Sequence, residues 1–255
     1  MLYTMPVTQR LKKLVKSLHQ KVFREQNGLF IAEGEKLALE LVKSSYQPEL
    51  IIIRESPTAG VQDVVNYYSD KGIPVYSAPK HMFDQLTDTK TPQTIICIVN
   101  IKEQKILPDE PFVALDGISD PGNVGTIIRT AEWFGYKQVL LGRDSADIYN
   151  PKTVRSTMGS IFRMNVIYEP NLSFFIKEHF PKHKIYAADV NSNNSIESIK
   201  PTKKYGLIFG SESHGISEQI KSIIDTDFKI IGYGSAESLN VAVSSGICFY
   251  HFNKK

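Results

Sequence analysis

DPGNVGTIIRTAEWFG, residues 120–135, follows the apolar run FVALD at 112–116, and the pair decides the fold. Val124, Ile127, Ile128, Ala131 and Phe134 recur at helical spacing, so a strand leads through a glycine-bearing turn into a helix. Arg129 falls off that apolar stripe, with Trp133 one turn further along on its side. The plainest reading of the pair is a surface arginine stacked on a tryptophan. A glycine turn ahead of a helix is also the geometry of a phosphate cradle. Gly117, Gly122 and Gly125 lack the G-x-G-x-x-G spacing, however, and no G-K-[ST] is present. A dinucleotide-dependent oxidoreductase and a Walker-type nucleotide hydrolase lose their support on that ground.

The same alternation extends both ways. Downstream, KQVLL (137–141), MNVIYE (164–169), KIYAADV (184–190), KYGLIFG (204–210) and DFKIIG (227–232) read as strands, with helices expected over 150–160, 171–180 and 237–252. The last of these is apolar nearly all round and is expected to be buried on several sides. Upstream, a helix is expected from about Thr8 to Phe23, broken by Gly28, and then strands at 29–34, 49–53, 74–78 and 93–100 alternate with helices. The stretch KEQKILPDEP (102–111), charged and proline-bearing, reads as a linker. The expected fold class is α/β: a small N-terminal α/β domain over 1–101, then a second α/β domain over 112–255. Its mostly parallel sheet is expected to be covered on both faces.

A chain of 255 residues with 42% hydrophobic and 22% charged residues is ordinary globular material. The net charge of +3 decides nothing about nucleic acid, but its distribution is informative. Arg10, Lys12, Lys13, Lys16, Lys21 and Arg24 all precede the first acidic residue, Glu25. Such a run is either a solvated helix face or a set of RNA phosphate contacts. Cys97 and Cys248 stand far apart inside apolar runs and are expected to be buried, reduced thiols, with neither a disulfide nor a metal site. No apolar stretch reaches membrane-spanning length and no signal-peptide core is present, so a soluble, cytoplasmic protein without a membrane partner is expected.

Two further stretches repeat the design of the first. In LIFGSESHGIS (207–217) an apolar strand runs into Gly210, Glu212 and Gly215; an ordinary βα turn with a capping glutamate competes with a ligand-binding loop. His214 in that turn reads as solvent-exposed, with no partner visible for a general base. In KIIGYGSAESLNVAVSSG (229–246) a strand ends at Gly232 and Gly234, and Ser238 stands where a helix N-cap belongs. Asn240 then falls in the first turn, where it is unhelpful unless its side chain binds something.

Together the three segments resemble the signature motifs of the SpoU-type RNA 2'-O-ribose methyltransferases of the SPOUT class. PGNVGTIIRTAEWFG (121–135) resembles the first motif, GSESHG (210–215) the second and GYGSAESLNVAVSSGI (232–247) the third, in the same order and over essentially all of 112–255. Ile231 and Gly232 depart from the third, where proline and methionine usually stand. SLHQKVFREQNGLFIAEGEK (17–36) is similar to the ribosomal-protein-like substrate-binding domain often fused to these enzymes.

The resemblance implies a trefoil-knotted catalytic domain, a homodimer, and S-adenosylmethionine as cofactor, released as S-adenosylhomocysteine. It implies structured RNA as substrate, either ribosomal or transfer RNA, with ribosomal RNA favoured. Arg129, Asn123, Glu212, Ser238 and Asn240 are the implied catalytic residues, and Gly210, Ile230, Gly234 and Leu239 the cofactor-binding ones. The small residues Ala242, Ser245 and Gly246 suit close helix packing. Lys12, Lys13, Lys16, Lys21 and Arg24 are the candidate RNA contacts. A non-catalytic RNA-binding protein that keeps the same scaffold is the competing reading.

Overall fold

The computed structural model describes residues 4–254. In chain order its elements are β1 (Met5–Pro6), α1 (Gln9–Ser17), α2 (Lys21–Asn27), β2 (Leu29–Glu33), α3 (Glu35–Val42), β3 (Pro48–Arg54), α4 (Ala59–Ser69), β4 (Val75–Ala78), α5 (Lys80–Phe83) and β5 (Ile95–Asn100). There follow β6 (Phe112–Asp116), α6 (Pro121–Trp133), β7 (Gln138–Leu141), α7 (Pro151–Thr157), β8 (Asn165–Tyr168), α8 (Leu172–His179) and β9 (Lys184–Ala188). The chain closes with β10 (Tyr205–Gly210), α9 (Glu218–Lys221), β11 (Thr226–Phe228) and α10 (Val241–Phe252). They form two compact units: the described residues up to Glu103 with Tyr149–Phe162, and Gln104–Ile148 with the described residues from Arg163 onward.

In the first unit the strand order is β1-β4-β3-β5-β2, and β5 runs antiparallel to both β2 and β3. Alternate residues of the central strands, Leu29 and Ile31, Leu50 and Ile52, Ile96 and Ile98, share one core with Leu11, Val15 and Leu18 of the N-terminal segment. The intervening residues Phe30, Ile51 and Cys97 are equally buried on the other face, so these strands are apolar throughout. The helix expected over 8–23 is broken: α1 stops at Ser17, whose hydroxyl donates back to Leu14 O (2.7 Å), and α2 begins at Lys21.

Tyr149–Phe162, expected within the domain 112–255, packs with this first unit. The Phe30 ring lies 4.8 Å from that of Tyr149, and Tyr46 lies 5.5 Å from Phe162. A buried carboxylate completes the attachment. Glu33 accepts from Thr87 Oγ1 (2.6 Å), Thr89 Oγ1 (3.2 Å) and Gln93 N (3.3 Å), and pairs with Arg155 at 3.5 Å, which also reaches Asp88 at 3.1 Å. An unpaired carboxylate at that depth would be costly, so the arginine of α7 is held where the charge requires it.

The second unit is built on one sheet in the order β11-β9-β10-β6-β7-β8, with every pairing parallel. Phe112, Ala114, Ile185, Ala187 and Ile208 face α8 and α9. On the other face α10 packs against α6, and Phe249 meets Phe209 with ring centroids 5.7 Å apart. Helix α10 is less buried than its composition predicts: Val243, Ile247 and Tyr250 stay exposed. No helix among the described residues is long and apolar enough to cross a membrane.

Cys97 and Cys248 are free and buried, and burial pushes both thiols up to about 12. Tyr68 and Tyr136 are raised as well, chiefly by burial. These groups release protons in the unfolded chain at lower pH than in the folded one, so folding stability falls as pH rises from 9 toward 12. Thermal melts stepped through that range should show a continuous decline, shallower in the Cys97→Ala/Cys248→Ala double variant. A flat profile would contradict the burial.

Candidate active site

A parallel sheet places its ligand loops at the carboxyl ends of its strands. Three loops leave that edge here, after β6, β10 and β11, and they carry the three motifs. Strands β6 and β10 are neighbours, so their loops emerge side by side, and Asp116 Oδ2 accepts the Ser217 N–H across them at 2.7 Å. Between β6 and α6 the chain turns at Gly117 (φ +76°), with Ser145 Oγ accepting the N–H groups of Gly117 (3.2 Å) and Ile118 (3.3 Å). Asp120 caps α6 by accepting from Asn123 N at 2.9 Å, and Pro121 occupies the first turn, where a missing N–H costs nothing.

The β10 loop folds back on itself. Ser211 and Gly215 exchange both backbone hydrogen bonds, at 3.0 and 2.9 Å, and Gly215 has φ +66°. A Cβ on Gly210 would lie 2.6 Å from Ile216 N and against the backbone of Gly215, so only glycine permits the return. Glu212 is thereby presented outward. His214, expected without a partner, has Ser213 Oγ 2.7 Å from its Nδ1.

The third loop differs in kind. Residues 231–240 are all exposed, Tyr233 at 93%. Among the described residues the main-chain groups of 230–239 make no hydrogen bonds within the protein. Ser238 is not the helix cap, and Asn240 is not in the first turn. Helix α10 starts at Val241, and Asn240 caps it by accepting from Ala242 N at 2.9 Å. The helix expected from 237 starts only at Val241, because 231–239 forms an exposed loop without helical hydrogen bonds.

The side chains then join the loops. Asn123 Nδ2 donates to Glu212 Oε1 at 2.6 Å, and Asn240 Nδ2 donates to Asn123 Oδ1 at 3.1 Å. Because an amide is donor at one end and acceptor at the other, one asparagine on α6 links the second loop to the third. Arg129 is outside this network. It lies six residues past Asn123, about 120° around α6. Arg129 is exposed, and among the described residues it makes neither an ion pair nor a ring contact with Trp133, itself 85% exposed. The expected stacking is absent.

Of the basic N-terminal residues, Lys13, Lys16 and Lys21 are exposed, Lys12 donates to Gln85, and Lys21 pairs with Glu25 at 3.7 Å. Arg24 must be withdrawn as an RNA contact: it is 2% exposed and donates to Leu18 O at 2.8 Å, satisfying a carbonyl at the break between α1 and α2. Sequence reasoning missed Asp116, Asp120 and Ser145 as loop supports. Asp120 was signalled by its place before proline and a helix. Ser145 carried no signal, being 28 residues from Gly117.

Residues 110–250 match the SpoU rRNA Methylase family, and residues 9–97 match the MRM3-like substrate binding domain. The chain is 33% identical over 237 residues to the 23S rRNA (guanosine(2553)-2'-O)-methyltransferase RlmP of Bacillus subtilis, covering 92% of this chain and 93% of that one. It is 27% identical to rRNA methyltransferase 3A, mitochondrial, of Danio rerio, over 94% of this chain and 67% of the relative. Among solved structures, an AdoMet-bound rRNA methyltransferase from Sinorhizobium meliloti superposes with a TM-score of 0.85 at 26% identity, covering 97% and 95% of the two chains. The chain belongs to the SpoU rRNA methylase family.

Gly210→Ala should open the Ser211–Gly215 return, costing about 1–3 kcal/mol. Denaturant unfolding measures that cost, and hydrogen exchange at 211–217 locates it. Unchanged protection in this loop would refute the close approach.

Proposed function

We propose that the protein transfers a methyl group from S-adenosylmethionine to a ribose 2'-hydroxyl of ribosomal RNA, as a cytoplasmic enzyme. The observation that carries this reading is the Glu212–Asn123–Asn240 chain of hydrogen bonds, which gathers three separate motif loops at one sheet edge. The residues fit the cofactor: the open main chain of 230–239 offers donors and acceptors to an adenosine, and glycine at 210 keeps the neighbouring loop tight. Gly210, Ile230, Gly234 and Leu239 would hold it, and the bound cofactor supplies a methyl group on a sulfonium that departs as a neutral thioether. A C-terminal segment threaded as a trefoil knot is part of the same reading.

The chain's own residues then orient the hydroxyl and stabilise charge. Asn123, Glu212, Ser238 and Asn240 fix the approach of the ribose, and such placement is worth roughly 7–11 kcal/mol of barrier. Guanidinium groups remain protonated in proteins, so Arg129 serves as a clamp on an RNA phosphate and a stabiliser of the developing alkoxide rather than as a base. Its exposure and its lack of a partner among the described residues suit that role. The non-catalytic alternative is not favoured, since the whole residue set is retained and three of its members are hydrogen-bonded together.

The exposed faces support a homodimer. Val243, Ile247 and Tyr250 recur along one side of α10, and Trp133 stands on α6, the helix packed against it. An apolar stripe of this kind is the self-complementary surface that a two-fold interface needs.

Arg129→Ala should lower methylation of ribosomal RNA by about 10²–10³-fold while calorimetry shows nearly unchanged cofactor affinity. Collapsed cofactor binding with normal turnover at saturation would assign the residue elsewhere. Light scattering should find the wild type dimeric and Ile247→Asp monomeric; a monomeric wild type removes the dimer from the reading.

A further inference from the structure

We infer that a lysine-lined cavity beside the amino ends of β9 and β11 is a second RNA-backbone site, in which Lys184 and Lys200 grip a phosphate. The inference rests on RNA being the substrate, but it involves neither the motif loops nor the N-terminal helices.

The cavity has a volume of about 360 Å³, and Lys184, Lys200, Asn194, Ser198 and Thr226 line it. Lys184 and Thr226 are the first residues of their strands, whereas the loops after β6 and β10 leave the opposite edge of the sheet. The segment 194–200 is tied down beside them: Asn194 Nδ2 donates to Asp227 O (3.1 Å), Ile196 N to Lys229 O (2.9 Å), and Tyr186 Oη to Lys200 O (3.3 Å). The walls are therefore built before any ligand arrives.

Neither cation inside is paired among the described residues. Lys184 and Lys200 are exposed, and among the described residues neither ammonium has an ion pair or hydrogen bond; Lys184 only hangs over the Tyr186 ring at 5.3 Å. The Asp225 carboxylate accepts the Ile185 N–H at 2.7 Å, is not part of the cavity lining, and makes no ion pair with either lysine among the described residues. The second N–H of the Asn194 amide and the Thr226 hydroxyl add neutral donors, the Ser198 hydroxyl being spent on Ser195 O at 2.7 Å, so the lining suits phosphate oxygens.

A polymer fits better than a free anion. Exposed Lys182 and Lys203 stand close along the chain to Lys184 and Lys200 and add cations for successive phosphates. Tyr186 is 1% exposed and offers no face for a base to stack on, so the site should grip backbone without reading sequence.

The test is anisotropy titration of a synthetic RNA stem–loop over a range of salt, using the full chain. Lys184→Gln/Lys200→Gln should make the log–log salt slope shallower by roughly 1.5, near 0.7–0.9 per lost contact. Lys184→Arg/Lys200→Arg should keep the slope, and calorimetry with S-adenosylmethionine should be unchanged in both. Lys13→Gln/Lys16→Gln should lower the slope separately, and the quadruple variant should sum the two effects. A salt-dependent wild type with an unchanged slope in the glutamine pair overturns the site while leaving the RNA reading intact. A wild type with no RNA affinity overturns both. Loss of inorganic phosphate binding in the glutamine pair, without any change in RNA slope, makes the cavity a free-anion site and refutes the inference.

Discussion

The Asn123 side chain is the joint on which the site depends. Its amide donates a hydrogen bond to Glu212 and accepts one from Asn240, and those partners stand 89 and 117 residues away along the chain. Neither bond has meaning without the sheet. Strands β6 and β10 must be adjacent for the first two loops to meet, and α10 must return against α6 for Asn240 to arrive. The parallel pairing supplies the first condition, and packing of small residues such as the fully buried Ser245 supplies the second. Gly246 is not required for that approach, since a Cβ there would meet only the Thr130 methyl at an ordinary contact distance of 3.6 Å.

The two loops that embrace this joint solve opposite problems. The β10 loop is closed, with its hydrogen bonds made internally and its close approach dependent on Gly210. The segment 230–239 is open, with its main chain left to solvent. An unpaired backbone is tolerable only in water or against a complementary ligand. A closed loop beside an open one makes a binding edge with one rigid wall and one wall free to order around what it binds.

The first unit shows how polar chemistry organises a region that carries none of the motifs. Glu33 is buried at the end of β2 and draws in two threonines, a backbone amide and Arg155. That arginine belongs to α7, more than a hundred residues later, and the aromatic contacts of Phe30 and Tyr46 fix the rest of the segment. Unit membership here follows a charge that needs a partner, not order along the chain.

The sequence by itself determined the α/β class, every strand of the second sheet, and the three loops that matter. These are local properties: FVALD, KYGLIFG and their following glycines announce strand–turn–helix units through apolar runs and periodicity. Asn123, Glu212 and Asn240 were legible as members of motifs. That they touch, and that Arg129 stands apart from them, was decided by tertiary structure, because hydrogen bonds between distant segments leave no periodic trace. The same holds for Arg24, which looks like one more surface cation until the break after Ser17 exposes a carbonyl for it to satisfy. Asn240 takes the cap position expected of Ser238 because either is a good cap, and Ser238 stays in the loop. Which one caps depends on where the loop ends, and that is set by α10 docking on α6.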